Sequence, residues 1–223
     1  MRRALTLCAV LLCTLAIFNP ASSFAYEVLT PTLINGVPVD PGTWQEVVRI
    51  TSNGSGCTAT VVGPRTIITA AHCAKTGDTA TFTYKGASYS AKIYRSPIWP
   101  GKDQDVSIGI VASDMTGATP YKIGGTAALK TELTLLGYGC INSPGTGGND
   151  GILRIGSNVI IGFSSYDMVS RSAGGAALCF GDSGGPAYRA NDLKRIIKIT
   201  PDGNNLRSIH KCLKQLTRRN LPC

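Results

Sequence analysis

The chain has 223 residues, 43% of them hydrophobic, and carries 22 Lys+Arg against 13 Asp+Glu for a formal net charge of +9. A chain of that size accommodates one globular module, since all-β units routinely reach about 200 residues. The charge is unevenly placed: residues 26–188 hold 11 basic and 11 acidic side chains, whereas residues 189–223 hold nine basic ones against Asp192 and Asp202, so the body is neutral and gives no electrostatic case for a nucleic-acid or acidic-membrane partner.

The first element is a leader. Arg2 and Arg3 precede an apolar run from Ala4 to Phe18, followed by Pro20 and the small-residue stretch ASSFA. This is the layout of a secretory signal, too short to span a bilayer comfortably, and it predicts cleavage after Ala25. Neither Cys8 nor Cys13 follows the small residue that lipid attachment would require. The expected product is exported, extracellular or periplasmic, with no membrane anchor after cleavage. Six cysteines then remain, at 57, 73, 140, 179, 212 and 223. An even set in an exported chain points to disulfides, and no C-x-x-C pair suggests zinc or another metal.

From residue 46 onward, short β segments alternate with Gly, Asn, Pro and Asp breaks: EVVRIT, CTATVVG, TIITAA, ATFTYKG, SYSAKIYR, VSIGIVAS, LTLLGYG and NVIIGF. Their spacing predicts an antiparallel barrel or sandwich. The segment CINSPGTGGNDG at 140–151 is a Gly-rich surface loop. Near the end, Leu206, Ile209, Leu213 and Leu216 share one face at helical spacing and predict a terminal helix over NLRSIHKCLKQL.

Three stretches carry chemistry: TAAHC at 69–73, DQDVSIGIV at 103–111 and CFGDSGGPAY at 179–188. In this order they resemble the trypsin/chymotrypsin-like serine peptidases, over roughly Leu33 to Tyr188. The signal is specific, because six ordered letters such as GDSGGP arise by chance about once in 10⁷ to 10⁸ starting points. Compact loops and the 33-residue spacing of His72 and Asp105 give a fainter resemblance to secreted bacterial members. The resemblance implies an all-β, chymotrypsin-like fold of two antiparallel, six-stranded-type barrels, here with a short C-terminal helix, no cofactor, a polypeptide substrate and a monomeric state.

The residues support the same reading. A serine is a weak nucleophile near neutrality and needs a base to take its proton. Of the two histidines, His210 lies among Lys and Arg in the tail, while His72 closes a β segment beside Cys73. The imidazole in turn needs a buried carboxylate to fix its tautomer and stabilise its positive form. Asp105 leads straight into an alternating apolar strand, the place the family gives its acid; Asp103 is the competing loop carboxylate. Ser183 is then the nucleophile. Gly181 and Gly184 let the backbone bend around the reacting carbonyl, and the N–H groups of Gly181 and Ser183 form the oxyanion hole.

The resemblance implies further roles. LINGVPVD at 33–40 looks like the family's mature amino terminus, so residues 26–32 form a propeptide and the α-amino group of Leu33 pairs with Asp182 after the cut. Thr32, not Lys or Arg, precedes that cut, which disfavours a trypsin-like activator. Cys57 and Cys73 are expected to pair, closing a short loop worth about 3 kcal/mol. Cys140 and Cys179 can pair with each other or with Cys212 or Cys223. Ala177, six residues before the serine, sits at the floor of the specificity pocket, where a trypsin-like enzyme would place Asp, so the pocket favours apolar or small residues over Lys and Arg. Phe180 either covers the pocket rim or packs ordinarily.

The pattern departs from the family after Tyr188. If IIKITPDG is aligned with the substrate-binding strand, Lys198, Pro201 and Asp202 replace the usual Gly, Ser and Trp, which can leave the second barrel incomplete. Segment 189–223 is a divergent folded ending, the product of a shifted reading frame near Arg195 to Thr200, or a basic arm. The rival function is accordingly a catalytically impaired binding protein on a peptidase fold.

Overall fold

In a computed structural model of the chain, the described residues are 33–100, 105–124, 127–141, 149–163, 168–170 and 176–199. The expected leader and propeptide, Asp103, the tail from residue 200 and its expected helix therefore lie outside them. Among the described residues no helix is long and apolar enough to cross a membrane.

The strands are β1 (Val37–Pro38), β2 (Val47–Ser52), β3 (Ser55–Gly63), β4 (Thr66–Thr69), β5 (Thr79–Tyr84), β6 (Ala87–Arg95), β7 (Ser107–Val111), β8 (Lys122–Ile123), β9 (Glu132–Gly137), β10 (Arg154–Phe163), β11 (Met168–Ser170), β12 (Pro186–Arg189) and β13 (Asp192–Ile199). Six of them close a barrel in the order β2-β3-β4-β7-β6-β5. The rest form a second, open sheet, β1-β10-β9-β12-β13-β8, with β11 on β10. This is the chymotrypsin-like two-barrel architecture, its second half a half-barrel.

Local sequence explains the first barrel. Along β5, Ala80, Phe82 and Tyr84 face inward while Thr79, Thr81 and Thr83 face water, the period-2 pattern of a one-sided strand. Asn53-Gly54 and Lys85-Gly86, all at positive φ, turn β2 into β3 and β5 into β6. Such two-residue turns match the twist of the strands they join.

The strands between the two halves are buried on both faces. Val48, Val61 and Ile67 enter the barrel core, whereas their neighbours Val47, Val62 and Ile68 join Leu136, Tyr188 and Ile196 in a shared core with the second sheet. This is why burial continues along β3 and β4 instead of alternating. A third cluster, with Leu33, Leu133, Leu135, Ile160, Ala176 and Ala187, fills the second half.

Beyond Tyr188, where the family pattern breaks in sequence, the chain still forms β13, antiparallel to β12, with Lys198 opposite Ala187. Pro201 and Asp202 fall outside the described residues.

Gly109 shows how tightly the barrel is packed. A Cβ there would lie 2.6 Å from Ile67 Cγ1 and 3.0 Å from Ala91 Cβ. Gly109→Ala is expected to cost about 1–3 kcal/mol by overpacking, read as a lower urea midpoint at unchanged m. An unaltered midpoint would contradict the packing.

Candidate active site

The register between β4 and β7 builds the first half of the site. Thr69 lies opposite Ser107, so the chain just beyond Thr69 meets the chain just before Ser107. The first carries His72, in a single 3₁₀ turn, Ala71–Cys73; the second carries Asp105. Asp105 is 1% exposed. Its Oδ1 accepts the His72 backbone N–H at 2.8 Å and its Oδ2 lies 2.6 Å from His72 Nδ1. An ionised carboxylate can only accept, so Nδ1 carries a proton and the neutral ring keeps its lone pair on Nε2. The His72 side chain stays 36% exposed, reachable from outside.

The serine loop is stitched to the same place through β3. Thr58 N–H donates to the Ser183 carbonyl at 2.9 Å, and Thr58 Oγ1 donates to the Gly181 carbonyl at 2.7 Å. The Cys73 sulfur lies 3.7 Å from that Ser183 oxygen, and Cys73 is disulfide-bonded to Cys57. Gly184, at φ +85°, presses so closely on Thr58, Thr69 and Ala70 that any side chain there would collide with them. Ser183 is thus pinned beside the histidine turn by its own backbone; its hydroxyl makes no hydrogen bond among the described residues. Asp182 and Gly185 donate their N–H groups to Cys179 and Asp182 carbonyls, but those of Gly181 and Ser183 have no protein acceptor among the described residues.

A family model described as Trypsin matches residues 33–205 of this chain. The chain belongs to the trypsin family. Among solved structures it is similar to mouse neuropsin, a serine protease expressed in the limbic system of the brain, with a TM-score of 0.62 at 18% identity over 74% of this chain and 85% of that one. That likeness is one of fold. No curated protein matches the sequence. Membership of the trypsin family and its fold support a serine endopeptidase, a hydrolase acting on polypeptides.

The other residues singled out in the sequence are placed as follows. Asp182 is fully buried; its Oδ1 accepts Gly139 N–H at 2.7 Å and its Oδ2 accepts Cys179 N–H at 2.8 Å. Burial pushes its carboxyl up to about 6, against the pull of those two donors and of the Arg154 charge. Arg154 is itself held by both oxygens of Asp150 at 2.8 and 2.7 Å, which keeps the Asp150 carboxyl below its usual range. Leu33 is completely buried with Leu133, Leu135 and Ile160, and in the uncut chain its nitrogen is a peptide nitrogen. Ile34 bridges to Ala177, whose N–H donates to the Ile34 carbonyl at 2.7 Å. Ala177 is half-buried. Phe180 is 78% exposed.

A raised acid makes the ionised form costly to bury. Relative to an Asp182→Asn variant, the uncut protein should therefore gain about 3 kcal/mol of stability as pH falls from about 6 towards 4, and lose it as pH rises again. Urea unfolding of both proteins across that range checks this; the opposite slope would show the carboxylate to be stabilised by charge pairing instead.

Among the described residues, the one group with metal-ligand atoms close together is Cys57, His72 and Cys73, within 4.8 Å. Both sulfurs are consumed in a disulfide and offer no thiolate to an ion. Sequence reasoning missed Thr58 and left the partner of Cys140 open; the structure joins Cys140 to Cys179, 39 residues apart. An inward-facing threonine directly after a disulfide cysteine was the available signal for Thr58.

Proposed function

We propose that the chain is an exported serine endopeptidase that cleaves peptide bonds through an acyl-enzyme at Ser183. The observation that carries this is the double hold of buried Asp105 on the backbone N–H and Nδ1 of His72, an arrangement that suits a neutral ring with its lone pair on Nε2. Ser183 Oγ attacks the substrate carbonyl carbon while Nε2 takes its proton. The same proton passes to the leaving amine as the C–N bond breaks, and water then hydrolyses the ester by the reverse route. Catalytic hydrogen bonds are often long in the free protein and tighten when substrate binds, which accommodates a Ser183 hydroxyl that has no partner among the described residues. The uncommitted N–H groups of Gly181 and Ser183 are the donors for the oxyanion.

Cleavage between Thr32 and Leu33 would free an α-amino group, and its pairing with Asp182 would pull that carboxyl back down. The activator is a peptidase that accepts Thr before the cut. Ala177 places no charge at the pocket floor and the exposed Phe180 ring offers an apolar rim, so peptides with an aliphatic or aromatic residue before the scissile bond should be cut at least tenfold faster, in kcat/KM, than those with Lys or Arg. Equal or faster cleavage after Lys would contradict the pocket assignment. The test of the chemistry is a rapid ester burst stoichiometric with trimmed protein. Trimmed, folded protein that gives no burst and no turnover would favour the impaired binding protein.

A further inference from the structure

We propose that the Cys140–Cys179 disulfide is a positioning pair for the reaction: it holds the oxyanion loop in its productive shape by fixing the two backbone segments that grip Asp182. This rests on the endopeptidase reading above. The crosslink joins Cα atoms 5.4 Å apart across 39 residues that include β10 and β11. Each bridged cysteine adjoins a donor to the same buried carboxylate. Gly139, next to Cys140, donates its N–H to Asp182 Oδ1, and Cys179 donates its own N–H to Oδ2. Cys140 N–H also donates to the Phe180 carbonyl at 2.8 Å. One covalent bond and three hydrogen bonds thus converge on residues 179–182.

Gly181 shows why such a tether matters. It sits at φ +102° with no side chain to favour that geometry, and glycine populates other basins at little cost. Its N–H points usefully only while its neighbours are held. On the other side, Thr58 grips the Gly181 and Ser183 carbonyls from the first barrel. The disulfide supplies the matching grip from the second. Gly139 closes the fit, because a side chain there would run into the Asp182 carboxylate. The bridge is also the more accessible of the two disulfides among the described residues: Cys179 is partly exposed, whereas Cys57 and Cys73 are both buried.

The experiment uses the full, trimmed protein in two forms opened at this bridge: the Cys140→Ser/Cys179→Ser variant, and folded wild-type protein mildly reduced with a phosphine and alkylated, with peptide mapping to confirm that Cys140 and Cys179 reacted while Cys57 and Cys73 stayed bridged, and with a Cys212→Ser/Cys223→Ser background treated in parallel. The second form keeps the test valid if the variant does not fold. Active sites are counted by titration so that kcat is expressed per competent site. The expected result is a per-site kcat lowered tenfold or more with KM within threefold. Affinity for a peptide boronate, which mimics the tetrahedral adduct, should fall in parallel while affinity for a product peptide holds. Reoxidation of reduced, unalkylated protein should restore both. A purely structural staple would lower the melting temperature and the number of competent sites but leave per-site kcat and boronate affinity unchanged, and that result would overturn the proposal. Intact protein with no turnover at all would overturn the endopeptidase reading instead.

Discussion

Ser183→Ala is expected to lower kcat by about 10⁵–10⁶ with little change in KM. The substitution removes the atom that forms the acyl bond, and nothing else in the loop can replace it: Asp182 is buried with both oxygens engaged, and residues 181, 184 and 185 are glycines. The fold should survive. Ser183 holds its place through its backbone carbonyl, bonded to Thr58 N–H, and its hydroxyl anchors nothing among the described residues. Residual catalysis of about 10³–10⁴ over water would persist from the oxyanion donors and substrate binding. Progress curves with a peptide substrate check the rate, and an unchanged melting temperature checks the fold. A variant that kept more than a hundredth of the activity would show the reaction to run without this hydroxyl.

Asp105→Asn is expected to cost about 10⁴ in kcat, again with the fold retained. The carboxylate and the amide have nearly the same shape, so the hydrogen bond from His72 N–H to Oδ1 can persist in the variant. The change acts at the second oxygen, 2.6 Å from Nδ1. An amide nitrogen placed there donates rather than accepts, which forces the ring proton onto Nε2 and leaves no lone pair for the serine. The ring also loses the charge that stabilises its positive form. Asp103→Asn, by contrast, should leave kcat unaltered. Steady-state kinetics on both variants make the comparison, and a large effect at 103 with a small one at 105 would reverse the assignment.

Most of the first barrel was legible because its strands obey a single rule. ATFTYKG alternates as a one-sided strand must, whereas burial runs on without alternation through CTATVVG and TIITAA, whose strands are covered on both faces. The histidine–aspartate pair was legible through the family motifs TAAHC and DQDVSIGIV, and the pairing of β4 with β7, which the sequence did not reveal, is what brings the two side chains together. The two-residue strands β1 and β8 and the three-residue β11 were not, since so short a segment contains no period. The β12–β13 hairpin was obscured by the basic composition after Tyr188, yet apolar positions there still support pairing: Ile196 is fully buried in the core shared with the barrel. The partner of Cys140 could not be read from spacing, because pairing is decided by where β9 ends relative to the serine loop. The grip of Thr58 on the serine loop spans 123 residues to the Gly181 carbonyl, so its place directly after Cys57 was the one local hint of it.

One measurement bears most directly on the claim that these separated residues make a single acylable serine. Purified protein trimmed to Leu33 is treated with a fluorophosphonate and digested, and the modified peptide is mapped. The expected outcome is one phosphonyl group on Ser183, absent from Ser183→Ala and strongly slowed in His72→Ala. Folded, trimmed protein that stays unlabelled, or that labels at another residue, would contradict the account.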